Sequence, residues 1–303
     1  MSWWREPPPR ATWELRLQRL GVALLLAWRL PALPVYPSQP FPVGVATWID
    51  FSALATPAWA PWLTAAFAIA LVLYVLGRAM PLAVGVLLVL WVGRGALASS
   101  QGGLDHTTQL LGLVLLAQWI AYLRAALARR QGGLAVAAGD ELAVDYSMQT
   151  IAAAYVLAAG MKLVISRGGW IAQLPYISSD VLKLHGQLYA SLGDAALLAR
   201  GDTLADLIWS HPLLTQLLIG PTWLLELLAP LALLGRLPAL LIGLGLLAMH
   251  QGIDWLMLIN FRENQALLWI YFVNLPWLAS QLVARGRQRS AIGAQPQPSR
   301  ADA

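Results

Sequence analysis

Long uncharged apolar segments, separated by short polar stretches, make up most of this chain. Eight of them approach the ~20 residues that an α-helix needs to cross the hydrocarbon core of a bilayer. The first is the weakest, because Arg29, Pro31 and Pro34 interrupt it. The pattern predicts an all-α fold, a polytopic membrane helix bundle of about eight transmembrane helices. The eight segments are 17–35, 61–79, 81–99, 107–126, 148–166, 212–233, 237–257 and 264–283.

Polar stretches mark the borders of the predicted transmembrane domain, residues 17–284. Residues 1–16 form a polar, proline-rich N-terminal segment. Residues 285–303 are rich in Gln, Pro, Ser and Arg, a composition that predicts a disordered basic tail. The longest stretch between the predicted transmembrane helices, 167–211, is amphipathic, so we expect short helices that lie on the outer face of the membrane.

Composition supports an integral membrane protein. The 303 residues are 58% hydrophobic and 12% charged, with a mean hydropathy of +0.62. A soluble domain carries about a quarter charged residues, roughly twice this fraction. With the N-terminus inside, thirteen of the twenty Lys and Arg residues fall on the cytoplasmic side. This positive-inside bias predicts that both termini are cytoplasmic, in a multi-pass protein of the inner or plasma membrane.

The same composition limits the partners and metals. Because the net charge of +5 follows membrane topology, no nucleic-acid partner is predicted. The expected partners are membrane lipid, a lipid-soluble small molecule, and an exported or membrane protein. The chain has no Cys and no HExxH pattern, so we predict no metal site.

Lys162 is the most informative single residue. It is one of two lysines and lies inside the apolar segment 148–166. An ammonium group at that depth costs several kcal/mol unless it is paired, hydrated or neutral. A buried lysine that is neutral near pH 7 is a competent general base. The alternative is that Lys162 snorkels to the outer headgroups.

Under the predicted topology, several polar groups share the depth of Lys162 near the outer surface, whereas the inner halves of the helices are mostly Leu, Ala and Val. This layer predicts an outer polar cavity in which His250 transfers protons and Arg94 or Arg262 stabilises an anion. The layer consists of Arg29, Arg94, His106, Lys162, His250, Asp254, Arg262 and Glu263.

Structural interpretations of these residues stay open. Asp105, beside His106, can cap the helix that follows. His250 and Asp254, one turn apart, can form a pair that holds helices together. Arg262 and Glu263 can form a solvated turn.

Glu226, near the middle of the sixth predicted span, is expected to have a partner that the sequence does not identify.

Four segments carry a resemblance to a known family. QTIAAAYVLAAGMKL at 149–163 is followed by Gly169-Trp170, and the other segments are QGGLDHTTQLLGL at 101–113, HQGIDWLMLINF at 250–261 and TWLLELLAP at 222–230. In this order the segments resemble motifs of the HTTM family of membrane proteins, which includes the vitamin K-dependent gamma-glutamyl carboxylase.

The resemblance implies a site and a cofactor. Lys162 matches the lysine taken as the base for the hydroquinone cofactor, which makes a reduced naphthoquinone the implied cofactor. His106 and His250 match the family's histidines, so Lys162, His106 and His250 form the predicted catalytic set. Substrate-binding positions follow from the motifs and from the outer layer: Arg94, Asp105, Tyr155, Trp170 and Arg262.

Departures from the family pattern narrow the prediction. Asp105 replaces an asparagine, Met161 precedes Lys162, and Arg262 follows Phe261 where the family has proline. The carboxylase's large soluble peptide-binding domain has no counterpart here, so the resemblance favours quinol chemistry in the membrane without peptide carboxylation. The leading hypothesis is therefore an enzyme that uses an intramembrane lysine base on a lipid-soluble, quinol-like substrate.

Two other function classes compete with this enzyme. One is a non-catalytic multi-pass component, either for transport or as an accessory subunit. The other is a quinone-linked membrane oxidoreductase of the DoxX type, which normally needs four spans.

Overall fold

Helices account for the secondary structure of residues 10–29, 38–102, 109–132 and 137–281, which are the residues that the structure, a computed structural model, describes. This part of the chain contains no strand, as the all-α prediction requires. The predicted tail 285–303 and most of the N-terminal segment 1–16 lie outside the described residues. The α-helices are α1 (Thr12–Arg29), α2 (Ala60–Leu76), α3 (Met80–Ser99), α4 (Gln109–Arg130), α5 (Ala137–Ile165), α6 (Trp170–Gln173), α7 (Ile177–Leu192), α8 (Ala195–Ser210), α9 (Pro212–Leu227), α10 (Arg236–Met257), α11 (Arg262–Leu268) and α12 (275–281).

Within the described residues, five helices are long and apolar enough to cross a membrane. They correspond to the second, third, fourth, fifth and seventh predicted segments, and the length of about 20 residues or more agrees with a bilayer core. The five are Pro57–Leu76, Met80–Ser99, Gln109–Arg130, Ala138–Ile165 and Arg236–Met257.

The other three predicted segments are also helical, but they are shorter, interrupted or more charged. α1 carries several charged residues, among them Glu14 and Arg19. α9 ends at Leu227, and the chain continues as a 3-10 turn, Ala229–Leu234, that contains Pro230. The last segment is α11, then a π-helical stretch, Trp269–Val273, and then α12, with a break at Asn274.

The core of the bundle is built from sequential helices. α2, α3, α4 and α5 pack each against the next, and α5 also packs against α9. α10 approaches the π-helical stretch closely, because a Cβ atom at Gly243 would lie 2.8 Å from the Cβ of Phe272. The amphipathic segment 167–211 forms α6, α7 and α8, and α7 packs along α8.

A second polar region, not anticipated by the sequence analysis, lies at the N-terminal end of α5. Arg10 Nη1 donates to both Glu141 and Asp145 at 2.7 Å. Arg19 Nη1 and Tyr122 Oη donate to Asp140 at 3.1 and 2.9 Å. The expectation that these ends of the helices are mostly apolar is wrong, because charged residues of α1 and α5 neutralise one another here. We call this region the Asp140 network; it comprises Arg10, Glu14, Arg19, Tyr122, Asp140, Glu141, Asp145, Arg236 and Asn274.

Glu14 joins three elements within this network. Its carboxylate is buried and accepts hydrogen bonds from Arg236 Nη1 of α10 and from Asn274 Nδ2, which follows the π-helical stretch. Asn274 has a φ of 51°, a left-handed conformation that Asn adopts more readily than most residues. One buried carboxylate on α1 therefore fixes the ends of two distant segments.

Candidate functional site

Lys162 lies in the last turn of α5 and pairs with Glu226 of α9. Its Nζ donates to both carboxylate oxygens, at 2.6 and 2.5 Å. The Glu226 side chain is 5% exposed and that of Lys162 is 25% exposed. A buried glutamate and a buried lysine on two apolar helices thus satisfy each other, which identifies the partner of Glu226 that the sequence left open.

The turn after α5 brings Trp170 back over Lys162. Arg167 and Gly168 have φ values of 52° and 83°, and Gly168 N donates to Leu163 O at 2.8 Å. This left-handed helix end suits glycine and reverses the chain. As a result the Trp170 ring lies 5.4 Å from Lys162 Nζ, within the range of a cation–π contact.

A second pair of polar side chains joins α5 to α10. Tyr155 Oη lies 2.7 Å from Nε2 of His250, and both side chains are buried. The ring of Phe261 packs against His250 with centroids 4.8 Å apart. When Tyr155 donates to Nε2, the proton of the neutral imidazole is on Nδ1, and Nδ1 has no hydrogen-bond partner in the structure.

The two pairs belong to one site. Ala159 lies on α5 between Tyr155 and Lys162, and its carbonyl accepts a hydrogen bond from Trp223 Nε1 at 3.1 Å. Trp223 is one turn before Glu226 on α9, so this bond fixes α9 beside α5. Lys162 interacts electrostatically with His250, and Glu226 does so with Tyr155. α5, α9 and α10 thus hold an acid–base cluster of four side chains.

Of the predicted site residues, the structure brings four together: Lys162, Tyr155, Trp170 and His250. His106 and Asp105 lie outside the described residues, so their predicted roles remain predictions. The structure contributes two further residues that the predicted site did not include, Glu226 and Trp223.

The two predicted anion-binding arginines contact other parts of the molecule. Arg94 Nη1 donates to the carbonyl of Arg29 at the end of α1, and its guanidinium lies 5.7 Å from the Trp91 ring centroid. Arg262 is exposed, and its backbone N–H donates to Asn260 Oδ1 at 2.9 Å. None of these contacts joins either arginine to the Lys162–Glu226 pair.

Two structural interpretations from the sequence are wrong. His250 pairs with Tyr155, whereas Asp254 Oδ2 accepts a 3.5 Å hydrogen bond from Asn260, so the expected pair between His250 and Asp254 does not form. Glu263 is 1% exposed and forms an ion pair with Arg29, so it does not belong to a solvated turn. In both cases a residue distant in sequence takes the place of the near neighbour.

An elongated groove of about 410 Å³ adjoins the cluster on the side of Trp170. It is the place where the described residues could hold a small molecule beside Lys162. No group of three or more His, Asp or Glu side chains in the described part of the chain could hold a metal ion. The groove is lined by Leu163, Gly168, Gly169, Trp170, Ile171, Ala172, Gln216 and Trp223.

The fold and the site together define an all-helical protein with five helices able to cross a membrane and a buried Lys–Glu pair beside a Tyr–His pair. No family model matches the chain, and comparisons with curated proteins and with solved structures give no match. The resemblance to the HTTM family therefore remains a hypothesis based on the four segments.

Proposed function

We propose that this chain is a multi-pass integral membrane enzyme of the HTTM type that performs acid–base chemistry on a lipid-soluble, quinol-like substrate. In this proposal α1, α9 and the α11–α12 segment complete a set of eight spans, and both termini are cytoplasmic in the inner or plasma membrane. Five helices of sufficient length and the distribution of Arg residues support this arrangement.

One observation carries the enzyme proposal: the Lys162–Glu226 pair lies beside the Tyr155–His250 pair. A single proton can reside on either member of the first pair. When it resides on Glu226, Lys162 Nζ is a neutral amine and accepts a proton from a substrate hydroxyl. The resulting ammonium group then stabilises negative charge next to it.

His250 provides the second proton-transfer group in this proposal. Tyr155 holds the imidazole through Nε2 and leaves Nδ1 available to a bound molecule. Burial excludes water from both pairs and strengthens their electrostatic effect on a reacting group. Lys162 is thus the proposed base, His250 the second acid–base group, and Glu226 and Tyr155 position them.

The described residues fit a reduced naphthoquinone. The Trp170 indole N–H and His250 Nδ1 are buried polar atoms without partners, and the groove beside them has two aromatic side chains in its walls. Such a quinol, when bound, would supply an acidic hydroxyl group and two electrons for reaction with oxygen.

Turnover of purified protein with reduced naphthoquinone and oxygen tests this function. We expect Lys162→Met to abolish oxygen consumption, because the ammonium–amine group is the proposed base. Lys183→Met is the matched control, since Lys183 is the other lysine of the chain and is exposed on α7. Equal turnover by the wild type and by Lys162→Met would reject the base assignment.

A second candidate is a non-catalytic membrane component, such as an accessory subunit. It is favoured by the geometry of Glu226, whose two oxygens both contact the one ammonium group, as in a structural ion pair. This candidate predicts that a protein with both Lys162→Met and Glu226→Met still copurifies with its membrane partners and has no quinol-dependent oxygen consumption as wild type.

A further inference from the structure

The groove beside Trp170 has the chemistry of a ligand-binding site. Trp170 Nε1 is a buried donor with no acceptor in the described structure. A buried N–H without a partner costs about 1–3 kcal/mol, so a bound acceptor would be favoured there. The groove volume of about 410 Å³ is in the range of small-molecule pockets.

The position of Trp170 connects the groove to the cluster. One part of its ring system lies near Lys162 Nζ, at 5.4 Å, while the residue also lines the groove. Leu163, next to Lys162, and Trp223, one turn before Glu226, line the same groove. Both helices that carry the ion pair therefore also contribute to the groove.

The polarity of the groove narrows the ligand. Its side chains are two indoles, two aliphatic groups and one amide, Gln216, and no charged side chain lines it. Trp223 already uses its N–H on Ala159, so Trp223 offers only the aromatic surface of its ring. These features suit an uncharged molecule with a flat ring and an oxygen acceptor.

We propose that the groove binds the ring of a lipid-soluble ligand, and that Trp170 Nε1 donates a hydrogen bond to an oxygen on that ring. The site adds a binding residue and a wall, Trp223, to the acid–base cluster, and it rests on the proposed function for its substrate. The same acceptor chemistry is available from the ester carbonyls of membrane lipid, so the experiment must separate the two sources.

Binding is measured by calorimetry in a maltoside detergent, which has no carbonyl group. The probes are 2-methyl-1,4-naphthoquinone, the acceptor-free ring 2-methylnaphthalene, and a diacyl phosphatidylcholine. We expect the quinone to bind more tightly than the hydrocarbon. Trp170→Phe should weaken quinone binding by about two- to tenfold, the effect of one hydrogen bond, with no effect on the hydrocarbon.

Trp62→Phe is the matched control, because Trp62 is exposed on α2 and makes the same indole-to-phenyl change. Ala172→Phe provides a second variant that fills the groove from its exposed rim and should abolish binding of both rings. Thermal unfolding of each variant confirms that it is folded.

Three results would overturn the proposal: equal binding of the two rings, no effect of Trp170→Phe, or binding of phosphatidylcholine alone. The last result would make Trp170 an interfacial lipid anchor.

The groove and the chemistry can fail separately. The double variant Lys162→Met/Glu226→Met should still bind the quinone. Normal quinone binding with Lys162-independent turnover rejects the function and keeps the groove. Loss of turnover in Lys162→Met with unchanged binding in Trp170→Phe rejects the groove and keeps the function.

Discussion

The two ends of α5 hold charged residues in two different arrangements. Lys162 and the Asp140 network lie about 33 Å apart at 1.5 Å per residue, roughly the thickness of a bilayer core. In the Asp140 network, charged groups share partners: Arg10 binds two carboxylates, and Asp140 and Glu14 each accept from two donors. At the other end Lys162 binds Glu226, and Tyr155 binds His250, as separate pairs.

This difference separates structural from chemical use of buried polar groups. A shared carboxylate fixes several helices at once, and removal of one partner leaves the others unsatisfied. An isolated pair can lose or exchange a proton while the rest of the bundle keeps its contacts. We therefore expect the Asp140 network to govern stability and the Lys162 end to govern activity.

The largest expected effect is on turnover. Lys162→Met combined with Glu226→Met removes the proposed base with its partner and should lower quinol-dependent oxygen consumption by about 10²–10⁴-fold. Arg10→Met, at the other end of α5, should leave the turnover of each folded molecule near that of wild type. Comparable losses in both proteins would erase the distinction between the two regions.

The next effect is on stability. Glu14→Leu should destabilise the fold by about 3–5 kcal/mol, because it leaves Arg236 buried without its carboxylate. A second change, Arg236→Met, should not restore the stability, since Asn274 Nδ2 still lacks its acceptor. The measurement is the shift of thermal unfolding in detergent.

The isolated pair supplies the opposite result in the same assay. Glu226→Met alone should be strongly destabilising, and addition of Lys162→Met should recover most of the loss, because apolar side chains can replace a buried ion pair. If recovery occurs at Glu14 and fails at Glu226, the assignment of the two regions is reversed.

A smaller effect is expected at the second pair. Tyr155→Phe removes the hydroxyl and leaves His250 Nε2 unpartnered, which should cost about 1–3 kcal/mol of unfolding free energy. Tyr146→Phe on the same helix is the control, because the hydroxyl of Tyr146 is engaged by Arg124 near the exposed surface. Chemical denaturation in mild detergent compares the two variants, and an equal loss in both would contradict the proposed importance of Tyr155.

The smallest effect concerns a predicted binding residue. Arg262 is exposed and none of its described contacts reaches the cluster, so Arg262→Ala should change unfolding free energy by less than about 0.5 kcal/mol. Quinone affinity should also be unchanged. A large loss of affinity would return Arg262 to the site and extend the site toward α11.

Sequence reasoning located the helices best where hydropathy alone defines them. The fifth apolar segment, 148–166, is the C-terminal part of α5, which begins at Ala137. The first turns of α5 carry Asp140, Glu141 and Asp145, which hydropathy reads as a polar stretch. They continue the helix because α1 and the residues before it neutralise their charges, a contact between segments over 100 residues apart.

The same limit applies to the site. Lys162 could be selected from the sequence because a single charge in an apolar segment is costly. Its partner Glu226 lies 64 residues away, and no local spacing connects the two. Local spacing also favoured a pair between His250 and Asp254, whereas the buried partner of His250 is Tyr155, 95 residues away. Helix packing, which the sequence pattern does not encode residue by residue, decides these partners.

The π-helical stretch Trp269–Val273 has a consequence for how the chain tolerates changes of length. A π-helical turn accommodates one residue more than an α-helical turn. Deletion of a single residue in this stretch would convert it to regular α-helix and rotate everything beyond it by about 100°. Asn274 would then turn away from Glu14. The extra residue thus sets the rotational phase of the last helix, and length variation is tolerated on either side of this stretch only in compensating pairs.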